Sequence, residues 1–271
     1  MSFFINNTEP SATYFNGNEV SSIYYNGTLV WEVVNFEWGS ETAVGDSTWW
    51  TTLKKWAAGA SAAERAACVG KTKKVSLSTA VRGASSITMR CIAADADGVG
   101  TLTFQSAYAL PTKASFGDSN AAWIGSEART HCQNIYNYCS AKSAIKTVKK
   151  GCAARNSSRK GAVTYNNETV FLLSERELGL DTYAGISVAN STTTKAECTY
   201  GYNAPYITKR SARIKYRGDA SGNATTTLAE YWMRSRHYST SSEVLYVDKN
   251  GYSNYLTYDY AKYLVPAFVI G

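Results

Sequence analysis

Residue types that commonly perform catalysis form no recognisable set in this chain of 271 residues. The two histidines, His131 and His237, lie far apart in the sequence, and each is better explained as a hydrogen-bonded structural or surface residue than as a general base. The sequence contains no GxSxG, HExxH, Walker or Gly-rich dinucleotide motif. We therefore predict no catalytic residues, no cofactor and no enzymatic activity.

One pair of carboxylates is the best candidate for a metal site in the sequence. Asp95 and Asp97 could begin a calcium loop, since hard oxygen ligands cluster on such turns. The later ligands of an EF-hand do not follow, and this favours a plain turn. The six cysteines show neither a CxxC nor a zinc spacing, so we expect mostly buried apolar side chains. The sequence thus predicts no metal site.

Tyrosines mixed with Ser, Thr, Asn and Asp are concentrated near the C-terminal end. Tyr provides a large, rigid contact surface, and its small polar neighbours provide adaptable hydrogen bonds, as in antibody paratopes. A strand buries about half of its side chains, so part of this set is expected in the core. The predicted ligand-binding residues are Arg234, Arg236, His237, Tyr238, Tyr246, Tyr252, Tyr255, Tyr258 and Tyr260.

Two basic clusters raise the question of an anionic partner. The first comprises Lys142, Lys146, Lys149, Lys150, Arg155, Arg159 and Lys160, and the second comprises Lys209, Arg210, Arg213, Lys215 and Arg217. Such clusters could contact phosphates or anionic sugars, but a solvated helix face followed by a loop explains the first one better. No aromatic platform of the kind used by single-strand binders interleaves with it, so we predict no nucleic-acid partner.

The charge of the chain changes sharply along its length. Residues 1–53 carry a net charge of −6, whereas the remainder carries +13 and makes the total +7. A change this sharp predicts two modules, an acidic one over 1–45 and a basic one over 46–271. The longest apolar run, 264–270, is too short to span a bilayer, and the first residues lack the features of a secretory signal. We expect no membrane insertion.

An Asn-Gly repeat characterises the acidic module. Aromatic and β-branched residues surround both copies, and Asn-Gly is the preferred pair for a type I′ hairpin turn. The repeat predicts a small β-meander over 12–34, which buries too little surface to be stable alone and must attach to another surface. The predicted attachment residues are Tyr14, Phe15, Tyr24, Tyr25 and Trp31.

Helical signals open the basic module. Ser47 is expected to cap an amphipathic helix that ends at Gly59. Ser61 and Glu64 form a capping-box pattern for a second, short helix.

Further helices alternate with strand-like runs. Helices are predicted over 126–139 and 141–150, and Ser174 with Glu177 makes a second capping box after an apolar strand. Beyond about residue 200, the pattern predicts a hairpin and a closing strand. The predicted fold class is α+β: a small N-terminal β-meander followed by a mixed α+β domain.

Several short motifs follow one another in a distinctive order across residues 46–271. They include Trp49 to Trp56, Val69-Gly70-Lys71-Thr72-Lys73, Thr101-Leu102-Thr103-Phe104, Trp123-Ile124-Gly125-Ser126, Val170-Phe171-Leu172-Leu173-Ser174-Glu175-Arg176-Glu177, Tyr231-Trp232-Met233-Arg234-Ser235, Val247-Asp248-Lys249-Asn250-Gly251 and Val265-Pro266-Ala267-Phe268. In this order they resemble a domain of unknown function common in phage and prophage structural proteins of Firmicutes. The Asn-Gly segment resembles a short module of phage tail and fibre proteins.

The resemblance implies a virion protein that is synthesised in the host cytoplasm. Its N-terminal module would dock to other virion proteins, and its C-terminal domain would face the host. The terminal region loosely resembles the C-type-lectin-like architecture of phage variable proteins. Weak contacts gain avidity through multivalency, so a homotrimer is expected.

Three functions remain open on this basis. The first is a tail-fibre or tail-tip protein that binds a glycan or protein receptor on the host surface. The second is a capsid decoration or head-fibre protein. The third is a glycan-cleaving tail protein, which would need two carboxylates facing each other across a groove.

Overall fold

The computed structural model describes residues 14–15, 18–19, 22–25, 28–32, 34–117, 122–153, 163–175, 177–180, 209–237 and 242–271. The strands are β1 Tyr14–Phe15, β2 Asn18–Glu19, β3 Ser22–Tyr25, β4 Thr28–Glu32, β5 Val44–Gly45, β6 Thr72–Val81, β7 Ala84–Ala94, β8 Leu102–Ser106, β9 Ala114–Ser115, β10 Ile145–Lys146, β11 Val148–Ala153, β12 Val163–Glu168, β13 Val170–Leu172, β14 Lys215–Gly218, β15 Ala224–Ala229, β16 Tyr231–Arg236, β17 Glu243–Val247, β18 Ser253–Thr257, β19 Ala261–Lys262 and β20 Pro266–Ile270. The helices are α1 Ser47–Gly59, α2 Ala62–Ala66, α3 Glu127–Tyr138 and α4 Arg210–Arg213.

Strands dominate the described part of the chain, and the four helices in it are short. The predicted α+β class, with its C-type-lectin-like end, is therefore wrong, and the protein is mostly β. The error arose where helix-like charge spacing coincided with residues that pair as strands, because tertiary pairing overrides local propensity.

The basic segment 141–150 shows this most clearly. A helix was predicted there, but a turn is followed by β10 and β11, which pair with β20 and β12. In β11, Lys149 is exposed whereas Lys150 is buried, which is the alternation of a strand. The predicted solvated lysine stripe does not form, because Lys146 and Lys150 both donate to Asp97 whereas Lys149 faces solvent.

The main sheet has seven strands and curls into half a barrel. Its order is β10-β20-β8-β7-β6-β5, and β13 pairs with β20 beside β10. All neighbours are antiparallel except β5 and β6. Helix α3 packs against both β6 and β13, and α1 packs against β5 and β20. The helices thus contact strands that stand far apart in the sheet order.

Aromatic side chains form the centre of the core. Trp50 of α1 lies 5.4 Å from the ring of Phe104 and 5.7 Å from that of Phe268, with near-perpendicular planes. Phe104 and Phe268 stack across β8 and β20 with centroids 5.6 Å apart. Edge-to-face and offset pairs at these separations are the favoured aromatic geometries. The five described cysteines are also buried.

Helix ends follow their capping residues closely. Asp46, not the predicted Ser47, caps α1, because its Oδ1 accepts the Trp49 N–H at 2.8 Å. The capping box of Ser61 and Glu64 forms as predicted at the start of α2. Helix α3 lies within the predicted range 126–139, with Ser126 as its N-cap.

The two Asn-Gly sites lie between antiparallel strands. Phe15 pairs with Asn18, and Tyr25 pairs with Thr28, so each site separates two strands by two residues. A small β-meander was predicted over 12–34, and among the described residues the two hairpins are separate two-stranded sheets. The side chains of the predicted attachment residues Tyr14, Phe15, Tyr24, Tyr25 and Trp31 lie outside the described part.

Residues 36–45 pack on the main sheet. Trp38 donates its indole N–H to the Thr72 carbonyl at 2.8 Å, and β5 pairs with β6. The Lys73 ammonium donates to the Trp38 carbonyl at 3.2 Å. Residues 36–45 thus contact the main sheet, and the division into modules at 45/46 stays a prediction. In the described residues no helix combines the length and apolarity needed to cross a membrane.

Candidate functional site

The hairpin of β17 and β18 presents three of the predicted ligand-binding residues to solvent. Tyr252 precedes β18, Tyr255 lies in its middle, and Tyr260 follows it in a turn. Their exposed fractions are 49%, 38% and 57%. Among the strands that the structure describes, β18 pairs with β17 alone. We name these three residues the tyrosine row.

A tight turn fixes the start of the tyrosine row. The Asp248 carboxylate accepts the N–H groups of Asn250 at 2.8 Å and Tyr252 at 2.9 Å, and the Asp248 N–H donates to the Tyr252 carbonyl at 2.9 Å. Gly251 closes the turn with φ of +82°, a conformation that favours glycine. The backbone of Tyr252 is therefore held on both sides.

Tyr255 is supported by His237, the residue that follows β16. Its ring lies 4.3 Å from that of His237, centroid to centroid, and the planes are tilted by 36°. His237 Nδ1 lies 3.2 Å from a carboxylate oxygen of Glu243, and the His237 N–H donates to the Glu243 carbonyl at 2.9 Å. His237 is buried, so it contacts the Tyr255 ring from the protein side.

Tyr252 is supported by a residue of the second basic cluster that is not among the predicted ligand-binding residues. The Arg210 guanidinium lies 5.0 Å above the Tyr252 ring, and its NH1 donates to the Tyr252 hydroxyl. Arg210 lies in α4, 42 positions earlier in the chain. No local sequence signal connects the two residues, because their contact depends on how α4 docks against the turn.

The other predicted ligand-binding residues divide by burial. Arg234, Arg236, His237 and Tyr246 are buried, so the exposed face does not include them. Tyr246 packs edge-on against Trp232 at 6.1 Å, and Lys262 covers its ring at 4.2 Å.

The two remaining predicted tyrosines are not part of the tyrosine row. Tyr258 is half-buried against the core, and Tyr238 lies outside the described residues.

Arg234 instead belongs to a buried charge network. Its NH1 lies 3.1 Å from Glu177, whose other oxygen lies 3.1 Å from the Lys150 ammonium. Lys150 also contacts Asp97 at 2.8 Å. Burial alone would raise the pKa of Glu177, but Arg234 and Lys150 outweigh it and hold the pKa below its ordinary value. The network fixes β16 against β11 and so positions the sheet that carries the tyrosine row.

The predicted turn at Asp95 and Asp97 uses its carboxylates internally. Asp95 has φ of +59° and contacts the Arg65 guanidinium at 2.7 Å. Asp97 accepts from Lys150 at 2.8 Å and from the Thr103 hydroxyl at 3.1 Å. A cation at this turn would therefore compete with two amino-acid cations. In the described parts of the chain, no group of three or more His, Cys, Asp or Glu side chains could hold a metal ion.

The second basic cluster is also divided by the fold. Arg210 is exposed, whereas Arg213 is buried and donates from Nε to the Gly251 carbonyl at 3.1 Å. Lys215 is buried, and burial together with the Arg90 charge lowers its pKa to about 7. The cluster is thus not one continuous basic face.

Comparison with known proteins places most of the chain in one family. No curated protein and no solved structure matches it. A family model described as "Domain of unknown function (DUF6273)" matches residues 103–271, more than half of the chain, and this range contains the Glu177–Arg234 ion pair and the tyrosine row. The chain therefore belongs to the DUF6273 family.

Proposed function

We propose that this protein is a non-enzymatic receptor-binding component of a phage or prophage particle. In this proposal the tyrosine row binds a carbohydrate on the bacterial surface. The observation that carries it is the exposure of Tyr252, Tyr255 and Tyr260 within nine consecutive positions. Large aromatic side chains concentrated on a solvent-exposed face are typical of interaction sites.

The chemistry around the tyrosine row favours a sugar. A tyrosine ring offers an apolar face that can pack on the C–H face of a pyranose, and a hydroxyl that can bond the sugar's own hydroxyls. Asn254, Thr257 and Asp259 lie between these tyrosines in the sequence and add further polar groups, and none of them is fully buried. This combination of flat apolar contacts and adjacent hydrogen-bonding groups suits a polyhydroxylated ligand better than an apolar peptide.

Preorganisation also supports a binding role. Two backbone hydrogen bonds and Arg210 hold Tyr252, and His237 supports Tyr255. Side chains held before binding lose little conformational entropy when a ligand arrives. Weak sugar contacts would then be multiplied by several copies on one particle, as in the expected homotrimer.

The virion context rests on the resemblance of the motif order to phage and prophage structural proteins. In this proposal the acidic N-terminal module attaches the protein to other virion components. A capsid decoration protein and a glycan-cleaving tail protein are the competing functions, and the experiment below separates them.

The test measures binding of the purified protein to bacterial cells and to an array of bacterial surface polysaccharides. We expect the double variant Tyr255→Ala/Tyr260→Ala to lose at least about tenfold in affinity, because it removes two exposed contact rings. Tyr165→Ala is the matched control, since Tyr165 is 51% exposed on β12, outside the row. The control variant should bind like the wild type.

Three results would overturn the proposal. Undiminished binding by the double variant would remove the tyrosine row from the function. Release of reducing sugar from a bound polysaccharide would indicate the glycan-cleaving enzyme. Incorporation into particles without any binding to cells or polysaccharides would indicate a decoration protein.

A further inference from the structure

A basic corner lies at one end of the tyrosine row. It is formed by Lys209 and Arg210 at the start of α4 and by Lys249 and Tyr252 on the turn between β17 and β18. All four side chains are exposed. The corner therefore combines three exposed cations with one exposed aromatic ring.

Close backbone packing builds this corner. A Cβ atom on Gly251 would lie 2.6 Å from the Arg210 carbonyl oxygen and 3.3 Å from Ile214, so only glycine allows the turn to approach α4. Buried Arg213 reinforces the contact by donating to the Gly251 carbonyl at 3.1 Å and to the Leu178 carbonyl at 3.3 Å. The position of Arg210 beside Tyr252 is thus set by packed backbone.

Arg210 is held in an orientation suited to an anion. Its guanidinium lies 5.0 Å above the Tyr252 ring, and NH1 donates to the Tyr252 hydroxyl. A guanidinium has five N–H donors in a planar fork that matches a carboxylate or phosphate, so donors remain after this one bond. The fixed fork stands beside the ring on which a sugar would pack.

The single carboxylate of the turn offsets only one of the three positive charges in the corner. Asp248 is the acidic residue of the turn, and its Oδ1 accepts two backbone N–H groups, from Asn250 and Tyr252. The exposed charged side chains that the structure describes here are Lys209, Arg210 and Lys249. An anionic ligand group would meet several favourable charges without displacing an internal ion pair.

We infer that the basic corner binds the anionic group of an acidic glycan while Tyr252 packs on the adjoining sugar ring. The anion is a carboxylate of a uronic acid or a phosphate of a phosphodiester-linked polymer, since both match the Arg210 fork. This inference rests on the proposed carbohydrate-binding function and narrows it to negatively charged polysaccharides.

The experiment compares polymers that differ in charge. Polygalacturonate is paired with its methyl ester, and poly(glycerol phosphate) is paired with uncharged polyglycerol. We expect the intact protein to bind at least one acidic polymer at least about tenfold more tightly than its neutral counterpart, with the difference decreasing as salt is raised. The two pairs distinguish a uronate from a phosphate ligand.

Single-residue variants test whether the basic corner causes the preference for acidic polymers. Arg210→Gln should remove most of the preference for the acidic polymer, and Arg210→Lys should retain part of it, because a lysine keeps the charge but not the fork. Lys249→Gln removes a different positive charge of the corner and leaves the contact between Arg210 and Tyr252 intact. Lys55→Gln is the control, since Lys55 is exposed on α1, outside the corner.

The outcomes separate the two proposals. Equal binding of acidic and neutral polymers would overturn this inference and leave the carbohydrate-binding proposal standing. A charge preference that survives both Arg210→Gln and Lys249→Gln would also overturn it. Absence of binding to every polymer, to the polysaccharide array and to bacterial cells would overturn the proposed function and the inference together.

Discussion

Glu177 and Arg234 form a buried ion pair that joins two motifs 57 positions apart in the chain, with 3.1 Å between Glu177 Oε2 and Arg234 NH1. Glu177 also closes a turn, since the same oxygen accepts the Ser174 N–H at 2.8 Å. Arg234 donates from Nε to the Gly151 carbonyl at 3.1 Å. The motif at 170–177 and the motif at 231–235 therefore each supply a charged partner that the other requires. This gives a physical reason why both occur in the same chain.

Removal of one member of this pair should be costly. Glu177→Gln leaves Arg234 and Lys150 buried with less opposing charge, and loss of one partner of a buried pair typically costs about 3–5 kcal/mol of unfolding free energy. Glu64→Gln is the matched control, because Glu64 occupies the same place in an exposed capping box. The Glu64→Gln variant should lose only about 1 kcal/mol of unfolding free energy. Urea unfolding measures both, and equal losses would contradict the role assigned to the network.

Lys215 should make the stability depend on pH. Burial lowers its pKa from 10.5 to about 7, so the unfolded chain binds more protons across this window. The unfolding free energy attributable to Lys215 should therefore rise with pH between about 7 and about 10, by at most about 1.4 kcal/mol per pH unit. Lys215→Met should flatten this rise, whereas Lys209→Met, at an exposed position, should not. Unfolding midpoints across a pH series test this, and an unchanged slope in Lys215→Met would contradict it.

Gly251 should tolerate no side chain. Gly251→Ala combines a positive φ with a Cβ placed against the Arg210 carbonyl, and we expect a loss of about 1–3 kcal/mol in unfolding free energy. Gly59→Ala should instead be neutral or stabilising by up to about 1 kcal/mol, because Gly59 ends α1 with open space around it. Thermal unfolding of the two variants provides the comparison. A Gly251→Ala protein as stable as the wild type would show that the turn does not pack closely on α4.

Trp38 should anchor residues 36–45 to the main sheet. It is buried, donates a hydrogen bond to the Thr72 carbonyl, and contacts Trp49 with ring centroids 5.4 Å apart. Trp38→Ala should cost about 3–5 kcal/mol of unfolding free energy. Val99→Ala, at a position that is 88% exposed, should change stability by less than about 0.5 kcal/mol. If Trp38→Ala were as mild as Val99→Ala, residues 36–45 would belong with the N-terminal module.

Local signals were sufficient where the interacting residues are close in sequence. The capping box of Ser61 and Glu64 and the N-cap at Ser126 involve partners three residues apart, so the motif itself specifies the hydrogen bonds. The same reasoning failed for 141–150, because pairing of β11 with β12 decided its conformation. Helix-like charge spacing cannot reveal that a distant strand is available as a partner.

The sequence by itself determined the concentration of tyrosines near the C-terminal end, the two hairpin sites at Asn-Gly, and the motifs that resemble a phage-associated domain. These are properties of composition and of contacts within a few residues. Only the tertiary structure decided that Arg234 and Tyr246 are buried, that Tyr252, Tyr255 and Tyr260 are exposed, and that Arg210 stands on Tyr252. Burial and long-range contact depend on which surfaces pack together across the whole domain, and no local pattern encodes that choice.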